Sequence, residues 1–87
     1  MTPQKLISDY IVDVWMDGDA ESLEPDTPLT ELNIIDSMGI FDLVGFLQRE
    51  FSMTVPMQEV TLKNFRSVRT ISALVVRLRQ DEGGNAA

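Results

Sequence analysis

The residues of this chain best suited to chemistry are Asp36 and Ser37, within the stretch Leu29-Thr30-Glu31-Leu32-Asn33-Ile34-Ile35-Asp36-Ser37-Met38-Gly39. They stand directly before a run with apolar residues at helical spacing and so mark a helix start, where Asp and Ser favour capping positions. A Ser hydroxyl at a helix N-terminus has a second use. A phosphate joined to it would meet backbone N–H groups that lack intrahelical acceptors, and the positive end of the helix dipole. Ser37 is therefore suited to carry a phosphodiester. Most such pairs are caps alone, and the two residues by themselves leave both roles open. Asp36 would repel a phosphate, so its role calls for another contact, to a metal or to a partner during modification.

The rest of the chain offers little chemistry. It has no His and no Cys. That excludes Ser-His catalysis, thiolate nucleophiles, disulfides and His or Cys metal sites. Acid–base work would fall on carboxylates. Half of these lie in one charge-rich segment, and none lies beside a partnered nucleophile, so the chain reads as not an enzyme, with no catalytic residue and no metal site.

Three amphipathic segments must position Ser37. Thr2-Pro3 opens the first, with Thr as cap and Pro in the first helical position. Leu6, Ile7, Tyr10, Ile11 and Val14 give it one buried stripe, and Gly18 is its stop. Residues 17–36 then read as a long acidic loop broken by Pro25 and Pro28. Its Leu23, Leu29, Leu32, Ile34 and Ile35 imply that it packs onto the core, with the part from Leu29 to Ile35 fixing where Ser37 emerges. The second helix runs from Ser37 to about Phe51. Ile40, Leu43, Val44, Leu47 and Phe51 form its core stripe. Met38, Phe41 and Gly45 form a second apolar stripe beside it, more than one buried face requires. Residues 61–66 predict one short helical turn with Leu62 and Phe65 inward, and residues 69–80 a last helix with Arg77 and Arg79 at its C-terminal end. The expected fold is all-α: a compact bundle of three main helices plus one short helix, with a long first loop. Residues 1–82 make a single domain and residues 83–87 a flexible C-terminal tail.

Composition narrows the partners. The 87 residues carry a net charge of −7, and the charge is uneven. Residues 1–60 hold 12 acidic and 2 basic side chains, residues 61–87 hold 2 and 5. Phosphate backbones repel such a surface, so nucleic acid is not a partner, whereas proteins with basic docking patches are. No apolar run reaches the length of a membrane span, and the first residues show no signal-peptide core. The chain reads as cytoplasmic and monomeric.

Taken together, Asp36-Ser37-Met38, Leu43-Val44, Leu47, Glu50-Phe51, Val55-Pro56 and Glu59 resemble the acyl carrier and peptidyl carrier superfamily. The segment from Asn64-Phe65 through Val68 and Ile71 is similar to the family's third-helix region, and the likeness covers about residues 5–80. One departure is Asn33, where the family usually has glycine. Asn is the next most tolerant residue for a positive φ. The resemblance implies that Ser37, with Asp36 beside it, is the attachment site of 4′-phosphopantetheine, installed from coenzyme A by a phosphopantetheinyl transferase. It implies a carrier that holds an acyl or aminoacyl unit as a thioester. An adenylating enzyme or acyltransferase would load it, and downstream synthase or tailoring enzymes would use it, in a nonribosomal peptide, polyketide or related pathway. It also implies docking through the second helix, with Met38, Phe41 and Asp42 as contacts, Glu50 as a further charged contact and Gly45 as room for close approach. Ile34 through Gly39 look more like discrete aminoacyl carriers, including the D-alanyl group, than like fatty-acid carriers. A fatty-acid or polyketide carrier, or a helical interaction module without a prosthetic group, are the alternatives.

Overall fold

Local capping chemistry sets each helix. The computed structural model describes residues 2–19 and 23–86, with side chains as far as Gln80. Helix α1, Pro3–Trp15, begins where the Thr2 hydroxyl accepts from the Lys5 N–H at 3.2 Å. It ends where Asp17 and Gly18 take positive φ, 50° and 85°, and the Gly18 N–H reaches the Val12 carbonyl. Ile7, Ile11 and Val12 are its buried residues.

Helix α2, Ser37–Glu50, follows the long loop and buries Ile40, Leu43 and Leu47. Ser52 leaves it with φ 50°, and the Gln48 side chain accepts from the Val55 N–H. A 3-10 turn spans Met57–Glu59. Helix α3, Val68–Ala86, starts where Ser67 and Thr70 exchange side-chain-to-backbone hydrogen bonds. It buries Val68, Ile71, Leu74, Val75 and Leu78. Helices α1 and α3 pack together, and one core takes in residues of all three helices with Leu29, Ile35, Phe51, Met53, Val55 and Phe65. Among the described residues there is no strand. The all-helical architecture matches the sequence expectation.

Five details differ from it. Val14, expected on the buried stripe of α1, is 47% exposed, and Val12 takes the inward place instead. The short helix lies at residues 57–59, while residues 61–66 make an isolated turn closed by the Phe65 N–H on the Thr61 carbonyl. Phe65 fills the core there, and Leu62 is left outside, 65% exposed. Leu32 is likewise 58% exposed: Leu29 and Ile35 take the inward places of its turn, and Leu32 stays on the outer side. Helix α3 runs past residue 80, so Arg77 and Arg79 sit within it and not at its end. Arg77 instead bonds Glu59, and the Arg79 guanidinium lies 6.0 Å from the centre of the Phe51 ring. The side chains of the expected tail, residues 83–87, lie outside the described residues.

Candidate functional site

The loop before α2 is held at both its turns. Leu29 is fully buried, and its N–H donates to the Arg66 carbonyl at 2.7 Å. The Arg69 N–H donates to the Pro25 carbonyl at 2.9 Å. Surface ion pairs, Arg66 with Glu31 and Arg69 with Asp26, flank these bonds and add little in themselves. Asn33 adopts φ 59°, the left-handed region expected of it, and turns the chain so that the N–H groups of Ile34 and Ile35 both return to the Leu29 carbonyl. Ile35 is buried, Ile34 half-buried. The chain thus enters α2 from an anchored residue.

Asp36 is the N-cap of α2. One of its carboxylate oxygens, Oδ1, accepts from the Gly39 N–H at 2.8 Å, and its carbonyl accepts the first intrahelical bond, from Ile40. Its charge is therefore engaged at the helix N-terminus, an intramolecular role alongside any contact to a metal or partner. Ser37 is the first helical residue and is exposed. The N–H groups of Ser37 and Met38 have no acceptor among the described residues. An exposed hydroxyl beside two free amides, at the positive end of a 14-residue helix, fits a phosphodiester. Ser37 is the residue that would carry such a group, with Asp36 beside it as the cap of the helix.

The second apolar stripe faces outward. Met38 is 73% and Phe41 52% exposed, and Asp42 and Glu50 are exposed as well. Gly45 is half-buried, and a Cβ placed on it would touch only the end of the Arg49 side chain, at 3.3 Å. Among the described residues nothing requires glycine there. The candidate residues thus gather along the N-terminal two-thirds of α2, with Glu50 apart at its other end.

Two features were not anticipated. Phe46 stacks on Tyr10 with ring centres 3.9 Å apart, and Tyr10 meets Trp15 edge-on at 5.7 Å, joining α2 to α1. Gly39 is buried against Ile35 and Trp15. The inward place of Phe46 was within reach of the periodicity, since Gly39, Leu43 and Phe46 follow one another at steps of four and three. Among the described residues, no cluster of three or more Asp or Glu side chains could hold a metal.

A helix-start serine on an anchored loop, with an outward apolar stripe behind it, is an arrangement that can accept a covalently attached group. The family model for the phosphopantetheine attachment site matches residues 7–75. The chain belongs to that family of carrier proteins, and its prosthetic group is 4′-phosphopantetheine. It is 46% identical, over the full length of both chains, to a probable acyl carrier protein, PigG, of Serratia sp. (strain ATCC 39006). It is 28% identical to a D-alanyl carrier protein of Streptococcus suis (strain 05ZYH33), over 90% of this chain and 96% of that one. Among solved structures, it matches a chain from a crystal structure of FAD-dependent dehydrogenase with a TM-score of 0.71 and 30% identity, over 79% of this chain and 97% of that chain. Carrier proteins of this kind work with phosphopantetheinyl transferases and biosynthetic enzymes, and no helix among the described residues is long and apolar enough to cross a membrane.

Proposed function

We propose that Ser37 is the residue that bears the phosphopantetheine arm, and that the chain carries an amino acid or acyl unit on it, as a thioester, through a specialised biosynthetic pathway in the cytoplasm. The observation that supports this most is the exposed Ser37 hydroxyl at the first position of α2, beside two amides without acceptors, with the Asp36 carboxylate drawn to Gly39. In arming, Ser37 Oγ bonds to phosphorus of coenzyme A, adenosine 3′,5′-bisphosphate departs, and the hydroxyl proton passes to a base on the transferase. The chain contributes a positioned hydroxyl and no catalytic group of its own.

Met38, Phe41 and Asp42 form the docking surface, and Gly45 lets a partner's backbone approach α2 closely. The loading partner is an adenylating enzyme or an acyltransferase. The likeness to a D-alanyl carrier supports an aminoacyl cargo. The solved relative, a chain scarcely longer than its match to this domain, comes from a crystal named for an FAD-dependent dehydrogenase. That favours an oxidising flavoenzyme among the tailoring partners.

The test is intact mass after incubation with coenzyme A and a phosphopantetheinyl transferase of broad carrier specificity. The wild-type chain should gain one phosphopantetheine. Ser37→Ala should gain none and keep its helical circular dichroism. A mass gained on Ser52 or Ser67 would overturn the assignment.

A further inference from the structure

Gly39 is buried in the first turn of a helix, where glycine is among the weakest formers. Its backbone does not demand glycine, because its φ is not positive. Space does. A Cβ on Gly39 would lie 2.7 Å from Ile35 Cγ2, 3.3 Å from Trp15 Cζ2 and 3.4 Å from Asp36 Oδ1. Carbon atoms in favourable contact stay about 3.5–4.0 Å apart. Ile35 has little freedom to move aside. Its side chain is 1% exposed and its N–H is bonded to Leu29, which is in turn bonded to Arg66.

We propose that Gly39 is a positioning residue for arm attachment. Its missing side chain lets the first turn of α2 seat against Ile35 and Trp15, and that seating fixes where the hydroxyl of Ser37, two residues earlier, emerges. The inference rests on Ser37 being the attachment residue. A methyl group at residue 39 would press the first turn away from the loop and strain the bond between the Gly39 N–H and the Asp36 carboxylate. Group transfer is sensitive to such a displacement, since a misplacement of about 1 Å lowers rates by roughly a hundredfold.

The experiment compares the full chain with Gly39→Ala, Ile35→Leu, the double variant and Ser37→Ala. Leucine at residue 35 keeps the volume and lacks the Cγ2 methyl. The readouts are the single-turnover rate of arm transfer at saturating transferase and the emission of Trp15, the sole tryptophan. Folded Gly39→Ala should transfer about tenfold more slowly or worse, with shifted Trp15 emission. Ile35→Leu should stay near the wild-type rate, and the double variant should recover both rate and emission. A merely structural glycine would lower the melting temperature and leave the saturated rate of folded molecules unchanged, so a wild-type rate in folded Gly39→Ala overturns the proposal. A double variant that stays slow also overturns it. Should Gly39→Ala not fold, the double variant decides: folded with a wild-type rate supports the contact, and unfolded or slow refutes it. Ser37→Ala separates the two readings. If it still takes the arm, the attachment assignment fails. If it takes none while Gly39→Ala reacts at the wild-type rate, only the role of Gly39 fails.

Discussion

Ser37 needs no histidine beside it in the proposed role, because a transferase brings its own metal and base to the hydroxyl. What single residues must do here is face the right way, and α2 sorts them sharply. Leu43 is fully buried while Phe41, two positions away, is half in solvent. Leu43→Ala should therefore cost about 2–5 kcal/mol of stability. Phe41→Ala should cost about 0.5 kcal/mol or less and instead slow modification or loading. Urea unfolding and transfer rates on the two variants check this, and a large loss of stability in Phe41→Ala would return Phe41 to the core. Residues of this kind were legible where a strong chemical preference met a repeating pattern. Asn33 at positive φ and the exposed Met38 and Phe41 were read correctly. Leu32 and Leu62 were not, because hydropathy says that a residue is apolar and not whether its turn has an inward place left for it. Gly39 escaped for a related reason: its significance lies in a contact with Trp15, 24 positions back in the chain.

At the scale of elements, the long loop is the part that determines the site. Its acidic and proline-rich composition reads as irregular, and its apolar residues read as anchored. Among the described residues the first holds, the second holds for Leu29 and Ile35 but not for Leu32, and the backbone shows how. Leu29 is the hub: its N–H goes to Arg66, and its carbonyl receives both Ile34 and Ile35. Those three amides should exchange slowly with solvent deuterium, while the amides of Ser37 and Met38, which have no acceptor among the described residues, should exchange fast. Uniformly fast exchange from 29 to 38 would mean that the loop does not hold α2 in place. Helix identity was legible from caps and 3.6-residue periodicity, as Thr2, Asp36 and the Ser67–Thr70 pair now illustrate. The short element was misplaced because its position depends on a side-chain bond across the α2–α3 connection. Asn64 donates to the carbonyl and carboxylate of Glu59 and ties the turn after Thr61 to the 3-10 segment before it.

That same connection contributes to how the whole molecule responds to acid. Glu59 receives two hydrogen bonds from Arg77 of α3, at 2.9 and 3.1 Å, as well as the bond from Asn64. Hydrogen bonding by Arg77 holds its carboxyl below the ordinary glutamate value, burial opposes this, and the charge of Arg77 and the bond from Asn64 add to it. A carboxylate with a depressed folded-state pKa stabilises the protein above its unfolded value, about 4.3, and that contribution disappears as the pH falls through the folded-state value. A second effect runs the other way. The chain carries 14 acidic and 7 basic residues, so protonation relieves repulsion among its carboxylates. The raw stability curve mixes the two effects, and the difference between wild type and Glu59→Gln isolates the first. With no His or Cys in the chain, no side chain of ordinary pKa titrates between pH 5 and 8, and the difference should be flat there. It should shrink toward zero as the pH drops below about 4.3, and at neutral pH it should be smaller in high salt, because half of the Arg77 side chain is open to solvent. Urea unfolding of both proteins from pH 8 to pH 3 measures it. A difference that persists unchanged to pH 3 would show that the Glu59–Arg77 pair does not tie the α2–α3 connection to α3 in solution.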